Sequence, residues 1–251
     1  MTMLSSASRP PLFRLLGVPI HIDGTWLLFA LFIGFQVVTG DFPELDQLPN
    51  SATLVLAILL ILGLSASILL HEMAHTLAGR AMGMSINRIT LHLFGGVAEL
   101  SEEPRTPVSE LVMALAGPIL SVVLGIGMFL LLPVLGGMHA PIPVMLAVEV
   151  LAQVNLVLAA FNMIPAFPLD GGRVLRSLVW LFTRKLGLAT RIAAVLGQVF
   201  GGLMMAYGVY SFAVDGYATG IWNVVLGAII MRMAAASRRA APIDPTYSTT
   251  S

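Results

Sequence analysis

The chain has 251 residues, 57% of them hydrophobic and only 10% charged, with a formal net charge of +0 at pH 7 and a mean hydropathy of +0.92. A soluble domain carries about 25% charged residues and has too little interior to hide this much apolar surface, so the composition is that of a membrane protein. A pI near 7.0 speaks against nucleic acid as a partner, and the absence of cysteine leaves any metal to histidine and carboxylate.

Residues 1–23 read as a juxtamembrane segment, with Arg9, Arg14 and the helix-breaking Pro10, Pro11 and Pro19. No short apolar run ends in a small-residue cleavage site, so no removable signal peptide is expected. A first span follows over Gly24–Thr39. It is short, so the apolar residues before it are expected in the interface, with Trp26 as an interfacial anchor. His21 reads as a polar anchor rather than a ligand.

An acidic loop with Asp41, Glu44 and Asp46 leads to a second span over Ser51–Met82, which carries His71-Glu72-Met73-Ala74-His75. On a helix, residues four apart lie nearly above one another, so two imidazoles face one point. Two neutral imidazoles so placed can hold a zinc ion, and Glu72, one step round, can take a proton from a metal-bound water. The preceding run from Leu54 to Leu70 is membrane-grade, and ionisable groups in such a setting are costly and usually functional. At 1.5 Å per residue His71 lies about 30 Å along the helix from Ser51, inside the bilayer boundary near one face.

Between Ser85 and Leu100 the pattern changes. Ile89, Leu91 and Leu93 alternate with Thr90 and His92, then Gly95-Gly96 interrupts, a period of two with a glycine turn or bulge. A small re-entrant sheet beside the metal helix, whose edge can pair with an extended peptide, and a plain connecting hairpin are both open readings. His92 reads as a polar strand position before an extra ligand. The third span, Val108–Leu132, carries Ala116-Gly117-Pro118, Gly125 and Gly127, small residues that let another helix approach; Pro118 is expected to kink it. The fourth, Val144–Met163, holds Glu149, Gln153, Asn155 and Asn162, expected to point into the bundle or a wet cavity. Then Pro165, Pro168, Asp170, Gly171 and Gly172 break the helix. A short interfacial helix over Arg173–Thr183, a fifth span over Leu188–Val214, a sixth over Ile221–Ala236 and a disordered cytoplasmic tail, 237–251, complete the chain.

The fold class is therefore all-α and polytopic: six transmembrane helices in a domain over 24–236, with a small re-entrant β-sheet between the second and third. Of the thirteen Lys and Arg, two precede the first span, three lie between the second and third, five follow the fourth and three stand at the C-terminal end. The loops on the other face hold none, which places both termini, the end of the His-Glu-x-x-His helix and the Asp170 loop on the cytoplasmic side.

A catalytic zinc takes three protein ligands and leaves a fourth position for water. Asp170 is the best third candidate; the competing reading is an N-cap of the helix that follows. Glu149 lies too far back along its span. Such a zinc lowers the pKa of its water to about 7 and polarises a scissile carbonyl, Glu72 hands the proton to the departing amine, and the Asn162 amide either stabilises the oxyanion or ties helices together.

Together His71-Glu72-x-x-His75, Gly95-Gly96, Ala116-Gly117-Pro118 and Asn162-x-x-Pro165-x-x-Pro168-Leu169-Asp170-Gly171-Gly172 resemble the site-2 protease family of zinc intramembrane proteases, over about residues 10–235. The resemblance implies one zinc per chain on His71, His75 and Asp170, Glu72 as catalytic base, and substrate contacts at Asn162, with Gly95 and Gly96 as further substrate-binding candidates. It implies an integral protein of a prokaryotic plasma membrane that cuts single-pass membrane proteins in or near their transmembrane helix, with the lipid bilayer as its other partner. Many members add PDZ or CBS domains; neither is expected in 251 residues. A transporter or channel with a zinc or proton site is the alternative, but it predicts duplicated half-motifs, and there is one His-Glu-x-x-His.

Overall fold

The computed structural model describes residues 10–40, 45, 49–84, 86–92, 95–100, 104–215 and 219–242. In chain order these form β1 (Phe13–Leu15), β2 (Val18–Ile22), α1 (Thr25–Thr39), α2 (Asn50–Ala81), β3 (Ile86–His92), β4 (Gly95–Leu100), α3 (Pro107–Gly137), α4 (Ile142–Asn162), α5 (Asp170–Thr183), α6 (Leu186–Tyr210), a π-helical turn (Ser211–Asp215) and α7 (Thr219–Arg239). The acidic residues of the 40–50 loop and most of the C-terminal tail lie outside the described residues.

Among the described residues, five helical stretches are long and apolar enough to cross a membrane: Asn50–Ala81, Pro107–Gly137, Ile142–Asn162, Leu186–Val214 and Gly220–Arg239. With 15 residues α1 is shorter than a perpendicular span of about 20. The third helix runs five residues past the expected Leu132, through Pro133 to Gly137, and the last continues past Ala236 to Arg239.

Two compact units emerge: Met1–Glu103 with Ile119–Ala159, and Pro104–Pro118 with Ala160–Ser251. In the first, α2 starts after Pro49, whose extended backbone cannot continue a helix backwards, and stops where Gly83 takes a φ of +79° and the Met84 N–H reaches back to the Gly79 carbonyl. Its inward face recurs every three or four residues: Leu56, Leu60, Leu64, Ser67, His71, His75. The lower part of that face packs with Val37 of α1 and Ala147 and Leu151 of α4.

A different side of its C-terminal half, through Ile68, Leu69 and Met73, meets a four-stranded sheet of order β1-β2-β3-β4, in which β2 and β3 are parallel and the other pairs antiparallel. This corrects two expectations. The sheet is not confined to the stretch between α2 and α3: residues 13–22, expected in the membrane interface, supply half of its strands. Nor is Trp26 an interfacial anchor; it is buried with Val18, Ile20, Ile89 and Met73 of α2. The alternation Val18-x-Ile20 carries the reason, since it gives the strand two successive buried positions on one face, against which Trp26 packs.

In the second unit α6 and α7 lie antiparallel with backbones in contact. A Cβ at Gly201 would strike the Gly227 carbonyl and one at Gly227 that of Gly201; Gly208 and Gly220 form the same reciprocal pair. Each pair member is seven residues from the next on its own helix, so the glycines make one seam. The first turn of α3 is closed by a reciprocal box, with the Ser109 N–H donating to Thr106 Oγ1 at 3.1 Å and the Thr106 N–H to Ser109 Oγ at 3.2 Å.

Candidate metal centre

On α2 the helical repeat does what the spacing predicts. His71 and His75 are both buried, their rings meet edge to face at 79°, and their Nε2 atoms are 3.2 Å apart. Two nitrogens each about 2.0–2.1 Å from a zinc ion, at the tetrahedral angle, stand about 3.3–3.4 Å apart, so the pair fits one edge of a zinc coordination shell. The other nitrogen of His71, Nδ1, lies 2.9 Å from Ser121 Oγ on α3. Glu72 is half-buried, about 100° round the helix from His71. One turn below, Ser67 Oγ accepts from Asn155 Nδ2 at 2.9 Å, and the same Nδ2 donates to the Leu151 carbonyl at 2.8 Å.

The polar residues of α4 part company. Asn155 is fully buried, but Glu149 and Gln153 are exposed and bond to each other at 3.5 Å, against the expectation that all four face inward. A one-turn pair can satisfy itself on the outer face and needs no cavity. Asn162 is the last residue of α4 and half-buried. Gly95 and Gly96 open β4, the edge strand, in register with His92 and Leu91. The His92 side chain lies outside the described residues, while the His21 backbone pairs with Thr90.

Asp170 belongs to the second unit. It is the first residue of α5, one place after Leu169, which occupies the N-cap position. The segment before it is fixed from several sides. The Phe167 N–H donates to the Ala193 carbonyl at 3.1 Å, and Phe167 clusters with Ala193, Ala194 and Ala234. The Phe167–Pro168 peptide is cis. A Cβ on Gly171 would collide with the Met163 and Ile164 backbone, and one on Gly172 with Ala166, so the glycine pair is what lets the loop fold back over the first turn of α5.

Above the Phe167 ring, 5.1 Å from its centroid, stands the guanidinium of Arg176. Its Nε donates to Glu110 Oε1 at 2.7 Å and its Nη2 to the same oxygen. Glu110 is fully buried and Arg176 nearly so, which makes this a desolvated, charge-assisted pair. Ser121 and Glu110 went unread in the sequence, and Arg176 was read only as one of the basic residues of the interfacial helix. The signal for Ser121 was present: it is the only polar side chain between Glu110 and Gly137. Glu110, a lone carboxylate at the entry to an apolar helix, was a similar sign.

The model of peptidase family M50 matches residues 59–149 and 137–207. A Synechocystis protein provisionally named a zinc metalloprotease is 34% identical over 231 residues, 91% of this chain and 59% of its own length. A zinc metalloprotease of Methanocaldococcus jannaschii is 32% identical over 203 residues, 80% of this chain and 54% of its own. The chain thus spans little more than half the length of these relatives. Among solved structures, the site-2 protease from Methanocaldococcus jannaschii superposes with a TM-score of 0.62 at 27% identity, covering 94% of this chain and 98% of that one.

Proposed function

Since the chain belongs to peptidase family M50 and is built as an integral membrane protein, we propose that it is an intramembrane zinc endopeptidase that hydrolyses peptide bonds in or near the transmembrane helix of single-pass membrane proteins. The observation that carries the reading is the pair of buried imidazoles with Nε2 atoms 3.2 Å apart, a separation that suits one divalent ion. His71 and His75 would hold one zinc per chain, and the Asp170-Gly171-Gly172 motif makes Asp170 the proposed third ligand. Family membership lends nothing to the transporter alternative.

When bound, the zinc supplies a Lewis acid that makes water nucleophilic near neutral pH and polarises the scissile carbonyl. The chain's own residues supply the rest. The Glu72 carboxylate accepts the proton of the attacking water and returns it to the nitrogen of the departing amine. The Asn162 amide, where α4 ends, donates to the carbonyl oxygen as negative charge develops on it. A substrate helix must unwind to expose its amide, and β4, an edge strand of the described sheet beginning at Gly95-Gly96, would pair its outer backbone donors and acceptors with the extended chain. In this reading α1 is a sixth span, the domain covers 24–236, and both termini face the cytoplasm.

Purified protein incubated with a tagged transmembrane peptide tests the proposal. Glu72→Ala should lower the cleavage rate by about 10²–10⁴-fold while leaving bound zinc unchanged. Equal cleavage by wild type and variant would sink it.

A further inference from the structure

We propose that Ser121 is a positioning residue for the metal-holding imidazole of His71; this rests on the reading of His71 as a ligand. Ser121 Oγ lies 2.9 Å from His71 Nδ1, and the serine is fully buried. No other side chain of α3 between Glu110 and Gly137 is polar, so the hydroxyl stands alone in an apolar helix. A serine in such a helix commonly turns back to the carbonyl four residues earlier and does nothing more. This one has a ring nitrogen within hydrogen-bonding distance.

The consequence follows from the inventory of an imidazole. A neutral ring has one N–H and one lone pair, and to hold a metal through Nε2 it must place the proton on Nδ1. A proton on Nδ1 in a buried site needs an acceptor, or the group is left desolvated and unpaired. Ser121 Oγ is that acceptor. It fixes the tautomer with its lone pair on Nε2, and it fixes the ring about its χ2 torsion, aiming that lone pair at the point His75 Nε2 also faces, 3.2 Å away. A hydroxyl suits the task because it adds no charge. A carboxylate there would bring a third negative group beside a centre proposed to use Glu72 and Asp170, and would require a charged partner of its own.

Zinc affinity by chelator competition, measured on the full 251-residue chain in detergent for wild type, Ser121→Ala and His71→Ala, tests this. The metal-free melting temperature and the d–d absorption of the cobalt(II)-substituted protein are recorded alongside. Ser121→Ala should bind zinc about 10–100-fold more weakly. At cobalt saturation its d–d band should be shifted, with at most a small fall in the metal-free melting temperature from the lost buried hydrogen bond. Wild-type affinity and band position in Ser121→Ala, with affinity lost in His71→Ala, would overturn the role of Ser121 and leave the ligand reading standing. Weaker binding accompanied by a lowered metal-free melting temperature and an unshifted band would also overturn it, because packing would then account for the loss. Wild-type affinity in His71→Ala would remove the ligand reading and this proposal with it. Should Ser121→Ala not fold, the ¹⁵N shifts of His71 in zinc-loaded wild type decide: a protonated Nδ1 is expected, and an unprotonated one overturns the proposal.

Discussion

The two parts of the proposed centre are built by different means. His71 and His75 face one point because 3.6 residues make a turn, so α2 alone brings them together, and the neutral hydroxyl of Ser121 meets the first ring. The Asp170 segment depends on contacts with other helices as well as on its own turns. Phe167 is bonded to α6, covered by a guanidinium from α5 that is itself held by a carboxylate from α3, and Gly171 and Gly172 admit the loop backbone where any Cβ would block it. A ligand pair carried on one helix tolerates packing errors elsewhere. A ligand carried by a loop at the meeting of three helices does not, and its supports should be the more sensitive to substitution.

Breaking that contrast most strongly, Arg176→Met should destabilise the protein by about 3–5 kcal/mol, because it strips the buried Glu110 carboxylate of its guanidinium. The double variant Glu110→Leu/Arg176→Met should recover most of the loss in thermal melts. Recovery of stability without recovery of zinc binding would show that the pair also sets the Asp170 segment. Smaller, at about 1–3 kcal/mol, is Gly172→Ala, whose Cβ meets rigid backbone. Gly63→Ala on α2 should cost less, about 1 kcal/mol, since its Cβ meets only the movable end of Leu151. Equal losses at Gly172 and Gly63 would erase the distinction between loop and helix. Smallest of all, Gln153→Leu removes half of an exposed one-turn pair and should leave both the melting temperature and cleavage where they are; a clear loss of cleavage would restore the cavity-lining role expected for it.

The same contrast explains what could be read in advance. Long apolar runs and a histidine spacing are local, and they gave α2, α4 and the imidazole pair nearly to the residue. The short apolar alternation Val18-x-Ile20 is equally compatible with an interfacial segment, and only its parallel pairing with Ile89 to Leu91, some seventy residues on, makes it a strand. Glu149 and Gln153 misled because a polar residue in an apolar helix says that it needs a partner without saying where; four residues along the same face was enough. Ser121 was visible as a lone hydroxyl, but its partner stands fifty residues away on another helix. Asp170 was singled out by its neighbours' chemistry, and the structure adds why those neighbours are glycines and what grips Phe167.

Metal analysis of wild type beside His71→Ala and Asp170→Ala, each purified as the full chain and dialysed against a weak chelator, tests the central claim most directly. The account predicts one zinc per chain in wild type and loss of it in both variants, with the helical content of each unchanged. Retention of wild-type zinc content by Asp170→Ala would contradict it.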